Sequence, residues 1–162
     1  MSLKIYESKR KFNQTPEPAG KKLVKNQSRF VIQKHQARNL HYDFRLELPD
    51  KIEKGDLVLK SWAVPKGVPE IAGVKHLAVA VEDHPIDYIN FKGIIPQGNY
   101  GAGVVEIWDK GKFELIDFSK NSLKVELKGK KLKGVYVLTR FSAGKNNWLI
   151  FKVKEKLDKS VQ

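Results

Sequence analysis

Residues 41–48 of the chain read His-Tyr-Asp-Phe-Arg-Leu-Glu-Leu, a strict alternation of polar and apolar side chains. Successive side chains of a β-strand point to opposite faces, so this period of two predicts a strand. One face would carry an apolar set fit for a core, Tyr42, Phe44, Leu46 and Leu48. The other would carry His41, Asp43, Arg45 and Glu47, where a water-facing strand usually has Thr, Lys or Ser.

The polar face of this strand can hold a metal ion. Residues two apart on one face have Cα atoms about 6.6–7 Å apart, close enough for His41 and Asp43 to share one ion. His35 lies just upstream, across a segment without apolar periodicity that can return the chain to the same place. Two imidazoles and a carboxylate suit Mn²⁺, Zn²⁺ or Fe²⁺ better than Mg²⁺ or Ca²⁺, which prefer oxygen ligands. The alternative is a polar face that contacts only water.

The charge of the chain favours a polyanionic partner. Its 31 lysines and arginines exceed its 18 aspartates and glutamates, for a net charge of +13, and basic proteins gain affinity for nucleic acid by releasing counterions. Alternatives are a ribosome-associated protein, an anionic membrane surface, or a basic proteome. The chain shows no bilayer-spanning apolar run and no signal peptide, which predicts a cytoplasmic protein without membrane attachment. Without cysteine, any metal must be held by His, Asp or Glu.

Residues 1–25 are expected to form a basic N-terminal arm. Pro16 and Pro18 remove backbone donors and push their predecessors towards extended conformations, so the arm is predicted to be extended and not helical. A disordered basic tail is the alternative to an arm that contacts the ligand.

Residues 26–162 are predicted to form one domain of short antiparallel strands. Expected strands lie near residues 30–35, 41–48, 57–64, 76–83, 104–108, 112–116, 123–127, 134–141 and 148–153, with hairpin turns at 109–111 and 142–144. This spacing is typical of a closed or nearly closed β-barrel or a sandwich. In the strand 76–83, the face with Ala78 and Ala80 is expected to border a groove. The glycine-rich loop 91–103 is expected to be a structured turn that supports a groove wall.

Two further segments carry groups that can act on a phosphate, namely Lys66, Glu82, Asp83, His84 and Tyr88. With a metal polarising the phosphorus centre, Arg45 would balance charge on the non-bridging oxygens. His84 would donate a proton to the leaving oxygen. The alternative for His84 is a turn residue before Pro85 without a catalytic role.

These segments also carry a family resemblance. FVIQKH at 30–35, LHYDFRLE at 40–47, KSWAVPKG at 60–67, VEDHP at 81–85 and IPQGNYGAG at 95–103 resemble the 3′-phosphoesterase module of bacterial and archaeal non-homologous end-joining ATP-dependent DNA ligases (LigD-type). The likeness covers roughly residues 10–148 in motif order. It implies a mainly β fold, a compact antiparallel β-barrel with a groove on one side and few short helices. It also implies a Mn²⁺-dependent phosphoesterase, with Co²⁺ or Zn²⁺ as other possible ions.

The resemblance implies roles for individual residues. The metal ligands would be His35, His41 and Asp43. The groups that engage the scissile phosphate would be Arg45, His84 and Tyr88. Substrate binding would be supported by Gln33, Lys66, Glu82 and His76, and in the arm by Arg10 and Glu17, which match residues tied to the diesterase step.

Two positions depart from the family pattern. His76 stands where the family commonly places Arg, and Lys11 stands where the arm usually has Asp. Both departures bear on the balance between diesterase and monoesterase activity, and neither touches the metal ligands.

The resemblance implies an enzyme that heals DNA 3′ ends. It would remove a 3′-terminal ribonucleoside and then the 3′-phosphate of a primer–template, leaving a 3′-OH. As a stand-alone version, it is expected to work at the nucleoid with a separate DNA ligase, a polymerase/primase and a Ku-type end-bridging protein. The alternatives are a non-catalytic β-barrel that binds nucleic-acid ends and a hydrolase of small phosphodiesters.

Overall fold

The computed structural model describes residues 3–19, 26–51, 54–141 and 144–154, and these are mainly β. The elements in chain order are α1 (Lys4–Ser8), β1 (Arg29–Gln36), β2 (Leu40–Lys51), β3 (Lys54–Val64), β4 (Lys75–His84), a 3₁₀ helix (Ile86–Asn90), β5 (Gly93–Ile95), β6 (Gly103–Ser119), β7 (Ser122–Gly129), β8 (Lys133–Arg140) and β9 (Asn147–Lys152). Neither helix of the described residues has the length and apolar character needed to cross a membrane.

Eight antiparallel strands close into a barrel. The hydrogen-bonded order is β1-β2-β3-β4-β9-β8-β7-β6, and β1 pairs with both β2 and β6 to complete the circle. The short strand β5 pairs with the start of β6 outside this circle. The predicted closed barrel with few short helices is confirmed.

Strands β1 and β2 are buried on both faces. Phe44 and Leu46 point into the main apolar core, together with Phe30 and Ile32 from β1. The opposite faces are covered by α1, the 3₁₀ helix and residues 91–95, which form a second apolar cluster around Val31. The polar face of β2 therefore lies outside the barrel core, where Asp43, Arg45 and Glu47 are buried and not exposed to water.

The hairpin turn predicted at residues 109–111 is wrong, because β6 runs without interruption from Gly103 to Ser119. Asp109 is buried and accepts hydrogen bonds from the backbone N–H groups of Lys130, Lys131 and Leu132. A Cβ on Gly111 would lie 2.2 Å from Lys128 O. Asp109 therefore binds the β7–β8 connection, and Gly111 permits the close approach of β7 to β6. The actual hairpin turn lies at residues 120–121.

The predicted position of the groove, beside Ala78 and Ala80, is also wrong. Ala78 is fully buried in the barrel core, and Ala80 packs against the same core. Strand β4 carries an extra residue here, since Ser61 pairs with Val81 but Leu59 pairs with His84. This bulge puts Val81 and His84, three residues apart, on the outer face, a change of parity that simple alternation does not predict.

The N-terminal arm contains one helical turn, so the prediction of no helix is wrong for Lys4–Ser8. The constraint from Pro16 and Pro18 acts on residues well after this helix. The boundary predicted at residue 25 lies outside the described residues, as does most of the turn predicted at 142–144.

Candidate functional site

Three candidate metal ligands converge on the outer face of the β1–β2 hairpin. The strand register places His35 directly across from His41. One ligand atom from each of His35, His41 and Asp43 lies within 4.8 Å of the others. Asp43 Oδ2 is 3.4 Å from His35 Nδ1 and 3.3 Å from His41 Nε2. The structure thus brings together the three residues that the sequence singled out.

Backbone carbonyls orient both imidazole rings. His35 Nε2 donates to Gly101 O at 2.7 Å, and His41 Nδ1 donates to Asn39 O at 3.0 Å. In a neutral ring the other nitrogen keeps its lone pair, and in both rings that nitrogen faces Asp43. Two lone pairs and a carboxylate directed at one point repel one another unless a proton or a cation lies between them. Such outer hydrogen bonds also orient metal-binding histidines, so these residues fit a divalent cation.

The surrounding charges keep Asp43 ionised. Burial alone would raise the pKa of Asp43, but the Arg45 guanidinium and the hydrogen bonds from His35 and His41 hold it well below its usual range. The hydrogen bond with Asp43 raises the pKa of His41, although burial opposes this. Asp43 is therefore available as an anionic ligand throughout the neutral pH range.

Arg45 presents an unpaired N–H group beside these ligands. Its Nε donates to Gln33 Oε1 at 2.6 Å, and its Nη2 lies 3.5 Å from Asp43 Oδ2. Its Nη1 is buried and has no hydrogen-bond partner within the described part of the chain. A buried donor without a partner is costly, and an anionic oxygen next to the cation would satisfy it.

Gln33 fixes the position of Arg45 from behind. Its Nε2 donates to Tyr88 O and Phe91 O, each at 3.0 Å, while its Oε1 accepts from Arg45. The guanidinium of Arg45 also lies over the Tyr88 ring, 4.8 Å from its centroid. Gln33 therefore connects the 3₁₀ helix to the guanidinium and acts as a positioning residue.

His84 is held as a neutral ring. Its Nδ1 donates to Glu82 O at 3.0 Å, and its Nε2, 3.3 Å from Arg10 Nη2, accepts from that guanidinium. Burial lowers the pKa of His84 well below its ordinary value, and the charges of Arg45 and Arg10 lower it further. These contacts favour a proton acceptor over the proton donor proposed from the sequence.

The N-terminal arm contributes its own charged groups. Arg10 Nε lies 2.9 Å from Glu17 Oε2, and Arg10 Nη1 lies 3.3 Å from Glu82 Oε2. Tyr88 OH donates to the same Glu17 oxygen at 2.8 Å. The Arg10 guanidinium lies over the Tyr6 ring, 4.0 Å from its centroid. Arg10 and Glu17 thus neutralise each other and hold the arm against β4 and the 3₁₀ helix.

A cavity of about 300 Å³ joins the metal ligands to this second group. The predicted site residues that line it are Arg10, Glu17, His35, His41, Asp43, Arg45, Glu82, His84 and Tyr88. Lys66 is exposed in the turn after β3. His76 Nδ1 donates to Gly67 O at 2.6 Å. The structure does not bring Lys66 or His76 to the cavity lining.

Three residues of this region were given no role in the sequence analysis: Tyr6, Lys9 and Tyr100. Tyr6 contacts the His84 ring, with 4.9 Å between centroids. Lys9 Nζ lies 3.2 Å from Glu82 Oε1 and 3.3 Å from Tyr100 OH. An aromatic residue within a polar arm was the available signal for Tyr6. The glycine-rich loop does support the wall, because Tyr100 and Gly101 line the cavity.

Comparisons with known proteins agree with this geometry. Residues 33–140 match the family model described as the DNA ligase D 3′-phosphoesterase domain. The chain is 47% identical over 160 residues to the multifunctional non-homologous end joining protein LigD of Pseudomonas aeruginosa. This match covers 93% of the chain and 18% of that protein. It is 44% identical over 166 residues to the LigD protein of Mycolicibacterium smegmatis, covering 94% of this chain and 21% of that protein.

A third relative is the multifunctional non-homologous end joining DNA repair protein LigD of Mycobacterium tuberculosis, 41% identical over 162 residues. That match covers 96% of this chain and 20% of the relative, so the chain spans about a fifth of the length of these proteins. The matched residues contain the last four residues of β1 and all of β2, β4 and the 3₁₀ helix. These elements supply the candidate metal ligands, Arg45, His84 and Tyr88. The chain belongs to the DNA ligase D 3′-phosphoesterase domain family.

Proposed function

We propose that this protein is a metal-dependent phosphoesterase that heals DNA 3′ ends. Its substrates are primer–template ends that carry a 3′-terminal ribonucleoside or a 3′-phosphate, and its product is a 3′-OH. The observation that carries this proposal is the buried Nη1 of Arg45, which has no partner among the described residues and lies beside the imidazoles of His35 and His41 and the carboxylate of Asp43. A cation and an anionic phosphate oxygen satisfy these groups together.

The side chains divide the work. His35, His41 and Asp43 hold the cation, and their mixed nitrogen and oxygen donors favour Mn²⁺, with Co²⁺ or Zn²⁺ as alternatives. The bound cation supplies charge that polarises the phosphorus centre. Arg45 donates Nη1–H to a non-bridging oxygen. His84 Nε2, which carries a lone pair, accepts a proton from the attacking water once Arg10 moves its hydrogen bond to the substrate. The water oxygen forms the new bond to phosphorus, the bond to the leaving oxygen breaks, and that oxygen takes up a proton from solvent.

The names of the relatives, which are multifunctional end-joining proteins, support a role for this activity in end joining. We propose that the healed 3′-OH passes to a DNA ligase and a polymerase/primase, with a Ku-type protein bridging the ends. We also propose that the protein acts on the chromosomal DNA in the cytoplasm.

The first experiment uses a 5′-labelled primer–template that ends in a 3′-phosphate or a single 3′-ribonucleotide. The protein with Mn²⁺ is expected to convert both ends to a 3′-OH, and EDTA or His41→Ala is expected to abolish both conversions. Conversion that persists with EDTA or His41→Ala would contradict the metal-dependent proposal.

The alternative function is a barrel that binds nucleic-acid ends without turnover, supported by the net charge of +13. Asp43→Ala separates the two functions. For the enzyme, turnover falls at least about a hundredfold while the Kd for DNA changes little, because a ligand of the reacting centre is lost. Tight, salt-sensitive DNA binding by the wild-type protein without conversion by any divalent metal would establish the binding module instead.

A further inference from the structure

A second cavity lies at one end of the barrel, away from the candidate metal ligands. It has a volume of about 560 Å³, within the range of small-molecule sites. Its floor is formed by Trp62 and Trp148, whose rings meet edge to face with 5.7 Å between centroids. Phe118 and Leu123 add apolar walls. None of these residues belongs to the cavity around Asp43.

Three buried N–H donors in the lining of this cavity lack hydrogen-bond partners within the described residues. They are the indole Nε1 groups of Trp62 and Trp148 and the Nε of Arg140. Trp62 is 3% exposed and Trp148 is 7% exposed. Buried indole N–H groups usually have an acceptor, and each one left without it costs free energy. Three such donors around one cavity indicate a ligand that accepts hydrogen bonds.

The charges of the lining also select an anion. Lys51, Lys120 and Arg140 are cationic, whereas Asp50 is the one acidic residue among the lining residues that the structure describes. The Asp50 carboxylate already accepts from the backbone N–H of Lys51 at 2.7 Å. Lys60 is less available, because its Nζ lies 3.2 Å from Asp83 Oδ1. A metal cation is excluded by this donor-rich, positively charged lining, and a purely apolar ligand would leave the indole N–H groups unsatisfied.

The lining also offers stacking surfaces. The Arg140 guanidinium lies 5.4 Å from the centroid of the Trp148 ring, and 39% of Phe118 is exposed. Aromatic rings and arginine planes stack on nucleobases of any sequence, and basic side chains at the rim bind the phosphate.

We propose that this cavity binds a nucleotide, with the base over the tryptophan floor beside Phe118 and its carbonyl or ring nitrogens accepting from Trp62, Trp148 and Arg140. The phosphate lies against Lys120 and Lys51. The proposal requires no reaction at the Asp43 site, so it stands or fails separately from the proposed phosphoesterase activity.

The direct test follows the indole N–H resonances by NMR in ¹⁵N-labelled protein with EDTA present. The chain has three tryptophans, and Trp108 lies elsewhere, under Lys131 Nζ at 4.5 Å from its ring centroid. Thymidine 5′-monophosphate and a short oligothymidylate are titrated separately. The indole signals of Trp62 and Trp148 are expected to shift and that of Trp108, assigned with Trp108→Phe, to stay. A shift of Trp108 alone, or of no indole signal with either probe, overturns the proposal.

Variants then test the charged rim. Lys120→Gln combined with Arg140→Gln is expected to weaken nucleotide binding about tenfold, since two charge-assisted contacts are lost. The matched control is Lys128→Gln with Lys133→Gln, which removes the same amount of charge outside the cavity lining. These two lysines lie opposite each other on β7 and β8. Equal weakening by both pairs would mean a diffuse charge effect and overturn the site.

Two further probes separate the ligand sources. Inorganic phosphate and an abasic deoxyribose-phosphate oligomer carry the charge without the base, and equal indole shifts with these would overturn nucleotide recognition. Shifts with the oligothymidylate and not with the mononucleotide identify a nucleotide within a strand. Equal affinity for both identifies a free nucleotide as a sufficient ligand.

Discussion

His41 links metal binding to pH at the scale of a single residue. Its hydrogen bond with Asp43 raises its pKa above the ordinary value of 6.5, and only a deprotonated ring binds a metal. We expect Mn²⁺ affinity to fall as the pH decreases through this raised pKa, and binding at the same pH to release a proton. Calorimetry in buffers of different ionisation enthalpy measures both effects. Affinity and proton release that do not change through this pH range would contradict the assignment.

The metal-free protein should show the opposite trend in stability. A His pKa that is raised on folding contributes stability below the unfolded pKa, and this contribution is lost as the pH rises through the folded pKa. Adding Mn²⁺ should therefore increase the melting temperature more at mildly alkaline pH than at mildly acidic pH. His41→Ala is the control, because it removes this pH dependence.

Arg45 is expected to be irreplaceable by lysine. Arg45→Lys keeps a charge near Asp43 but loses the planar fork that reaches Gln33, Asp43 and the ligand together. We expect kcat to fall by about a hundredfold, with a small change in Mn²⁺ affinity. The matched control is Arg29→Lys, since Arg29 pairs with buried Glu47 at 3.0 Å and does not line the cavity. Similar activity losses in both variants would contradict a specific role.

The identities of the candidate site residues were largely predictable, whereas their ion pairs, protonation states and unpaired hydrogen-bond donors were not. Alternation in residues 41–48 placed His41, Asp43 and Arg45 on one face, and the family resemblance added the second group. The mutual pairing of Arg10 with Glu17, the neutral state of His84 and the unpaired Nη1 of Arg45 depend on neighbours that are distant in sequence. No local pattern records such contacts.

At the scale of the element, Asp109 stabilises the long strand β6. Its carboxylate accepts from four backbone N–H groups, those of Lys110, Lys130, Lys131 and Leu132. Asp109→Ala is expected to lower the free energy of unfolding by about 3 kcal/mol, because one buried and three partly buried N–H groups lose their acceptor. Urea denaturation measures the loss, and Asp117→Ala on the exposed part of the same strand is the control. A loss below about 0.5 kcal/mol, the usual effect of a surface change, would contradict this role.

The strands were predicted well where alternation was regular and poorly where a residue served a close contact. Asp109 and Gly111 imitate a hairpin turn, although they belong to a contact between strands. Because of the bulge at residues 82–83 in β4, Ala78 and His84 lie on opposite faces of the strand, although alternation predicted one face for both. Ala78 therefore lies in the core while His84 lies outside it. The 3₁₀ helix Ile86–Asn90 was missed, because a segment this short has no periodicity to detect.

At the scale of the whole molecule, Arg10 attaches the arm to the barrel. Glu17 and Glu82 are 4% and 5% exposed, and both depend on its guanidinium. Arg10→Met is expected to lower the free energy of unfolding by about 3 kcal/mol, because buried Glu17 loses its ion-pair partner and Glu82 keeps only Lys9. The double variant Arg10→Met/Glu17→Gln should recover part of this loss. Hydrogen exchange of residues 3–19 reports whether the arm has detached, and unchanged exchange in Arg10→Met would contradict the attachment.

Barrel closure was predictable from the number and spacing of strands, and the docking of the arm was not. The arm reads as polar and basic, yet Tyr6 is fully buried in the second apolar cluster. Sequence composition describes an average over the arm, whereas individual side chains make its contacts with the barrel: Tyr6 packs in the apolar cluster, Lys9 and Arg10 pair with Glu82, and Glu17 accepts from Tyr88 OH.

The placement of His35, His41 and Asp43 on one hairpin also bears on how the protein folds. All three lie within residues 35–43, so the chain between them closes only a short loop. Arg45, His84 and Glu17 acquire their environment only after β4, the 3₁₀ helix and the arm have docked. The three candidate metal ligands are therefore a local structure that can form early in folding. A metal ion present at that stage would stabilise the β1–β2 hairpin before Arg45, His84 and Glu17 are in their final environment.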